Sequence, residues 1–105
     1  MRLTKPTVKV LTIFLEHPAQ EQYGFGLMRT TGVKGGSLYP ILERLESVGW
    51  ISAHEEVIDE HTEGRPKRRL YRLTGAGRRE ATAALADFYR DLLPAASWLR
   101  RKVAI

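Results

Sequence analysis

The stretch Gly36-Ser-Leu-Tyr-Pro-Ile-Leu-Glu-Arg-Leu-Glu-Ser-Val-Gly-Trp-Ile51 indicates one short amphipathic helix that runs directly into an extended segment. Ser37 is a suitable N-cap, because its hydroxyl can accept a hydrogen bond from a free N–H of the first turn. Pro40 then falls inside that first turn, where a missing N–H costs little. Gly49 can take the left-handed conformation that ends a helix. The apolar positions follow helical spacing and predict one buried stripe: Leu38, Ile41, Leu42, Leu45 and Val48.

The opposite face of this helix is polar, with small side chains near its N-terminus. Its members are Ser37, Tyr39, Pro40, Glu43, Arg44 and Ser47. A helix that is buried on one side and presents small polar and aromatic groups at an exposed N-terminus has the shape needed to enter the major groove of DNA. The pattern therefore favours a recognition helix.

Two helices are predicted before this one. Thr4 can cap the first, which ends at residues 17–18, where a proline disfavours further helix. The second covers residues 23–31. Gly24 and Gly26 are poor helix-interior residues, and they indicate a close approach to a neighbouring helix or backbone.

Two short strands and a last helix are predicted after it. The strands run from Trp50 to about Ile58 and from Arg68 to Leu73, and they enclose a polar hairpin tip at residues 59–67. Thr74 can cap the last helix. The predicted order is α-α-α-β-β-α, which is a mainly α winged helix-turn-helix with a two-stranded β-wing, followed by a C-terminal helix.

The last helix carries apolar residues at alternating spacings of four and three, which is a heptad seam. Its positions are Ala81, Leu85, Phe88, Leu92, Ala95 and Leu99. A small domain cannot cover so much apolar surface on one helix, so pairing with a second copy is favoured over packing on the chain's own core. We expect a DNA-binding domain at residues 1–75 and a dimerisation helix at residues 76–105, kinked at Pro94. The expected dimer interface is Leu85, Phe88, Leu92 and Leu99.

Basic residues concentrate where a winged helix meets nucleic acid. The chain has 105 residues and a net charge of +5, which favours a polyanionic partner. Phosphates attract such clusters through counterion release, and Arg65 lies at the wing tip, where a minor groove is within reach. An isolated basic hairpin would be a solvated loop, but beside the recognition helix it indicates double-stranded DNA. The expected contributors are Lys34, Arg44, Arg65, Lys67 and Arg68.

Several other classes of function are disfavoured by composition. The absence of cysteine excludes disulfides and thiolate sites. His17, His54 and His61 are too scattered to indicate a metal site, and residues 33–37 lack the spacing of a phosphate-binding loop. The sequence predicts no enzyme, cofactor or metal. No run approaches the length of a membrane span, so a cytoplasmic protein is expected.

A set of motifs connects these features to a known family. In order along roughly residues 4–80 they are Tyr23-Gly24, Ser37-Leu38-Tyr39-Pro40 with Leu42 and Leu45-Glu46, Gly49-Trp50-Ile51, Gly64-Arg65-Pro66 and Arg69-Leu-Tyr-Arg-Leu-Thr-Gly-Ala-Gly77. By these motifs the chain resembles the PadR family of transcriptional regulators. Because it ends at Ile105, it resembles the short members with a single C-terminal helix.

The resemblance implies a homodimer that binds a pseudo-palindromic operator and represses transcription. It implies that Ser37, Tyr39 and Pro40 contact the groove and that Arg65 is a wing contact. Some short PadR-like proteins place an aromatic residue of the last helix in a drug-binding cavity at the dimer centre, which makes Trp98 a candidate site for a small aromatic or drug-like effector. Packing of Trp98 in the dimer interface is the alternative. For the whole chain, the alternative is a winged-helix module that binds a protein without reading DNA.

Overall fold

The computed structural model describes residues 1–92. Pro94, Ala95, Trp98 and Leu99, with the predictions made for them, lie outside the described residues. The elements in chain order are α1 (Lys5–Glu16), β1 (Gln22–Tyr23), α2 (Gly24–Thr31), α3 (Gly35–Ser47), β2 (Ile51–Glu55), α4 (Glu60–Glu63), β3 (Arg69–Leu73) and α5 (Gly75–Leu92). The mainly helical winged fold predicted from the sequence is confirmed.

The first helix begins and ends where the sequence predicts. The Thr4 hydroxyl accepts a hydrogen bond from the Thr7 N–H at 3.4 Å, and the C-cap is His17. Helix α1 sends one face into the core, where Val10, Leu11 and Phe14 are fully buried. These side chains pack with those of α2 and α3, so the three helices share one core.

The recognition helix α3 begins earlier than expected. Its N-cap is Lys34, whose carbonyl accepts hydrogen bonds from the N–H groups of Ser37 at 3.0 Å and Leu38 at 2.8 Å. The predicted Ser37 cap is therefore wrong, because the Gly35-Gly36 pair adopts helical geometry and extends the helix. Pro40 consequently lies in the second turn, not the first, and the Gly36 carbonyl lacks its i+4 donor. Gly36 is exposed, so water can hydrogen-bond to that carbonyl.

The buried stripe of α3 is confirmed at four of its five predicted positions, and these are Leu38, Ile41, Leu42 and Leu45. Val48 is the exception and is 46% exposed. The helix ends at Ser47, and Gly49 turns the chain with a φ of 78°. Val48 therefore falls in the turn, where helical spacing no longer directs a side chain to the core.

The wing contains more structure than the predicted hairpin. Strands β2 and β3 pair antiparallel, with Ala53 opposite Tyr71, and β1 adds a third strand on the other side of β3. The two-residue strand β1 is too short to give a sequence pattern. Strand β2 ends at Glu55, short of the expected Ile58, and the tip holds the helical turn α4, capped by the Asp59 carboxylate.

Helix α5 is attached firmly to the winged fold at its first turns. As predicted, Thr74 caps it: the Gly77 N–H donates to Thr74 Oγ1 at 2.9 Å. The Cα of Gly77 lies against the Trp50 backbone, and Ala81 is fully buried in the core. Leu85 also packs partly against the core. The first part of the heptad seam is thus used within the chain itself, and the apolar surface left for a partner begins beyond it.

Candidate nucleic-acid interface

The exposed face of α3 brings together the residues that the sequence selects as groove contacts. Ser37, Tyr39, Pro40 and Arg44 are all exposed on this face, and Lys34 is exposed at its cap. The buried and exposed residues alternate sharply, since Leu38 is completely buried while Tyr39 is 48% exposed. The helix therefore presents one accessible face that a groove can accept.

Two glycines determine where the Tyr39 ring lies. A Cβ on Gly24 would overlap the Tyr39 ring, lying 2.8 Å from Cζ, and a Cβ on Gly35 would lie 3.6 Å from Cε2. The close approach predicted from Gly24 is therefore confirmed, and its partner is the recognition helix. The ring is supported along one side by α2, while its other side remains accessible.

The wing arginine that the sequence places at the tip is bound to a carboxylate. Arg65 Nη1 and Nη2 donate to the two carboxylate oxygens of Glu56 at 2.6 Å and 3.1 Å. The backbone N–H of Arg68 donates to the same carboxylate at 3.3 Å. The Arg65 hydrogen bond is the main cause that lowers the pKa of Glu56 below its usual value. The pair therefore persists at neutral pH and is lost only as acidification passes through that lowered pKa.

Two further wing arginines also have acidic partners. Arg69 Nη2 lies 3.2 Å from a Glu46 carboxylate oxygen, which connects β3 to α3. The hydrogen bond to Glu46 raises the pKa of Arg69. Arg72 Nη2 lies 3.6 Å from a carboxylate oxygen of Glu21. These exposed pairs add little stability each, but they reduce the positive charge that the wing presents.

In a groove between the wing and α2, two arginine side chains lie over aromatic rings and not beside carboxylates. The groove has a volume of about 510 Å³ and is lined by Tyr23, Phe25, Arg29, Arg65, Pro66, Lys67 and Arg68. The guanidinium carbon of Arg68 lies 4.2 Å from the centroid of the Tyr23 ring. That of Arg29 lies 5.3 Å from the Phe25 ring, and Arg29 Nη2 donates to the Tyr23 hydroxyl at 3.2 Å. Both geometries are those of cation–π contacts.

Sequence reasoning missed Tyr23, Phe25 and Arg29 as members of this surface. The available signal was a pair of aromatic residues and an arginine four positions after Phe25, which is the spacing of neighbours on one helix face. The approach of α2 to the wing depends on the pairing of β1 with β3, and no local pattern indicates that pairing.

The predicted dimer residues on α5 have unequal exposure. Leu85 is partly buried against the chain's own core, Phe88 is half-buried, and Leu92 is 54% exposed. The Phe88 ring packs edge-on against Tyr89 with 5.6 Å between centroids. A groove beside Phe88 is completed by Leu3 and the rest of the N-terminal segment. Apolar surface is therefore available towards the C-terminal end of the described helix.

Among residues 1–92, no group of three or more His, Cys, Asp or Glu residues is arranged to hold a metal ion. His54 Nε2 instead lies 3.3 Å from the Glu21 carboxylate. No helix in the same range is both long and apolar enough to cross a membrane.

Comparison with known proteins gives a family match that covers most of this fold. The model of the transcriptional regulator PadR-like family matches residues 14–83. This range runs from the buried end of α1 to the core-packed turns of α5, and it includes the recognition helix and the wing.

One curated protein is similar to this chain in sequence, and two solved structures are similar to it in fold. Transcriptional regulator Rv3488 of Mycobacterium tuberculosis is 42% identical over 64 residues, which are 58% of this chain and 55% of that protein. The matched segment thus spans about half the length of this curated relative. A PadR family transcriptional regulator from Eggerthella lenta shares the fold with a TM-score of 0.67 at 20% identity, over 90% of this chain and 84% of that one. Overoxidized AbfR, in a crystal structure bound to DNA, has a TM-score of 0.65 at 20% identity, over 97% of this chain and 69% of that one.

Proposed function

Because the chain belongs to the PadR-like family of transcriptional regulators, we propose that it represses transcription by binding a pseudo-palindromic operator as a homodimer. Membership confirms the resemblance inferred from the motifs and the expectation of a transcriptional regulator. Binding to DNA and the absence of enzymatic activity belong to the proposal. The operator symmetry, the dimer and the repression are parts of the proposal, as is its action in the cytoplasm.

One observation carries the proposal: α3 has a fully buried face and an accessible face whose N-terminal half holds Ser37, Tyr39 and Pro40. In helix-turn-helix docking the N-terminal residues of the second helix contact base edges. The Tyr39 ring supplies apolar area and a hydroxyl, both of which can contact a base edge. Lys34 and Arg44 flank this face and are proposed to contact phosphates.

The apolar surface towards the end of α5 supports the homodimer. Leu92 and Phe88 are exposed or half-exposed in the single chain, and burying apolar surface contributes about 25 cal/mol per Å². We propose that residues 76–105 form the dimer helix and that Leu85 contributes at its edge, together with Leu99. The two-fold axis would place two recognition helices about 34–36 Å apart, one turn of DNA. An effector held at Trp98 is a further prediction, and it depends on a residue outside the described range.

A Tyr39→Ala variant tests the proposed reading of sequence. We expect it to lose about 1–3 kcal/mol of operator affinity, with little change on random DNA, because Tyr39 contacts bases and not phosphates. The operator is first identified by selecting tight binders from a random duplex pool. Affinities for operator and random duplex are then measured at one salt concentration. Tyr39→Phe is the matched control, since it keeps the ring on α2 and removes only the hydroxyl, which is the Tyr39 atom nearest Gly24.

Two results would contradict the proposal. Equal losses on both duplexes would show that Tyr39 does not distinguish sequences. Failure of the wild type to select any duplex from the pool would favour the alternative of a protein-binding winged helix, whose basic wing serves only solubility.

A further inference from the structure

We propose that the groove between the wing and α2 is a phosphate clamp for the DNA backbone, formed by Arg29, Lys67 and Arg68, and that Arg65 holds the wing in place and does not bind DNA. This inference rests on the proposed function, since it takes double-stranded DNA as the partner. It adds Arg29 to the expected contacts and removes Arg65 from them.

The first argument is the distribution of charge over the wing. Arg65, Arg69 and Arg72 each have a carboxylate within 3.6 Å. Arg29, Lys67 and Arg68 have no such partner among residues 1–92, although all three line one groove. Counterion release depends on cations that DNA phosphates can neutralise. An arginine already paired with Glu56 must lose that pair before it can contribute.

The second argument is that aromatic side chains hold the guanidinium groups of Arg29 and Arg68 in position. Arg68 lies over the Tyr23 ring and Arg29 over the Phe25 ring, with the Tyr23 hydroxyl accepting from Arg29. A planar guanidinium that rests on an aromatic face keeps its N–H groups directed outward in the plane, where they match phosphate oxygens. Phe25 is 60% exposed, so its ring is accessible at the surface where Arg29 lies over it.

The third argument is position relative to the recognition helix. Tyr23 is followed directly by Gly24, on which the Tyr39 ring packs. The groove between the wing and α2 thus adjoins the face of α3 that is proposed to enter the major groove of DNA. A DNA backbone at the edge of that major groove would lie along the groove of the protein. Helix α2 also begins here without a side-chain cap at Tyr23. The N-terminal end of α2, which carries the positive end of its dipole, therefore lies beside the groove that Tyr23 lines.

Arg65 has a different task in this arrangement. Its bidentate bond to Glu56 joins the segment after β2 to the segment before β3, and Glu56 also accepts from the Arg68 N–H. The pair thereby fixes the backbone that carries Lys67 and Arg68. Its net charge is zero, so removing both partners leaves the charge of the groove unchanged.

The test measures the salt dependence of binding to a random duplex of about 30 base pairs, which requires no knowledge of the operator. Arg29→Gln and Arg68→Gln are each expected to reduce the slope of log K against log salt by about 0.9, the value for one lost phosphate contact. Arg29→Lys keeps the charge and is expected to keep the slope. Thermal melting of each variant shows that the domain is folded.

The matched control is the double variant Arg65→Gln/Glu56→Gln, which removes an arginine from the same groove without changing its net charge. The two glutamine amides can still hydrogen-bond to each other, and the one at position 56 can still accept from the Arg68 backbone N–H, so the wing backbone stays held and we expect the wild-type slope. An unchanged slope in Arg29→Gln and Arg68→Gln would overturn the phosphate clamp, and a reduced slope in the double variant would overturn the role given to Arg65. Either result leaves the proposed function intact, whereas a wild type without salt-dependent binding to DNA would overturn the proposed function itself.

Discussion

A Leu92→Glu variant is expected to be a folded monomer that binds operator DNA at least about 100-fold more weakly than the wild type, because two linked half-sites gain that much or more over one. Leu92 is 54% exposed in the single chain, so the charge costs the monomer little. In a dimer seam the same charge would be buried without a partner, at a cost of several kcal/mol. Sedimentation gives the oligomeric state, and operator titration gives the affinity.

The control for this variant is Ala86→Glu, which adds the same charge on an exposed part of α5 away from the seam. It should remain a dimer with wild-type affinity. A wild type that sediments as a monomer at micromolar concentration would contradict the proposed dimer. A Leu92→Glu variant that stays dimeric would show that another surface joins the subunits. Leu85→Glu is less informative, because Leu85 packs on the chain's own core and its substitution also disturbs the fold.

A Gly77→Ala substitution is expected to lower the free energy of unfolding by about 3 kcal/mol, at the upper end of the usual cost of overpacking. A Cβ at this position would overlap the Trp50 backbone and would lie 2.7 Å from its carbonyl carbon. Two backbones must then separate, because no flexible side chain is available to move. The free energy of unfolding is measured by urea unfolding. In thermal unfolding, the melting temperature is expected to fall by roughly 12–24 °C.

Gly75→Ala is the matched control in the same helix. A Cβ there would meet only the end of the Arg79 side chain, at an ordinary 3.7 Å. Its effect should stay within about 0.5 kcal/mol. Equal stability of the two variants would mean that α5 does not approach Trp50 as closely as the structure shows.

The helical part of the fold could be predicted from the sequence because its signals are local. Thr4 and Thr74 cap their helices as predicted, and four apolar residues of α3 are buried as their spacing requires. The prediction for Ser37 was wrong because a strong capping residue competes with a Gly-Gly pair that can itself be helical. Sequence spacing does not show which of the two starts the helix.

The candidate site could be predicted only in part, because some of its features depend on contacts between segments that are distant in sequence. The accessible face of α3 follows from helical periodicity alone, and it is observed with Tyr39 exposed. The state of each arginine depends on contacts between segments distant in sequence. Arg65 is nine positions from Glu56, and Arg69 is 23 positions from Glu46. A count of basic residues treats these arginines as equal to Arg68. The structure shows that both have carboxylate partners, whereas the Arg68 side chain has none among residues 1–92.

The bonds around Thr74 have a consequence for the spacing of half-sites. Thr74 Oγ1 donates to the Gly49 carbonyl at 2.6 Å, and the Thr74 N–H donates to the Trp50 carbonyl at 3.0 Å. Helix α5 is thereby coupled to the residues that follow the recognition helix, so the two helices move together as one rigid body. Over the 18 residues of α5, about 27 Å, a rotation of roughly 10° displaces the far end by roughly 5 Å. In a dimer, a small change in the angle between the two α5 helices would move the recognition helices out of register with consecutive turns of DNA.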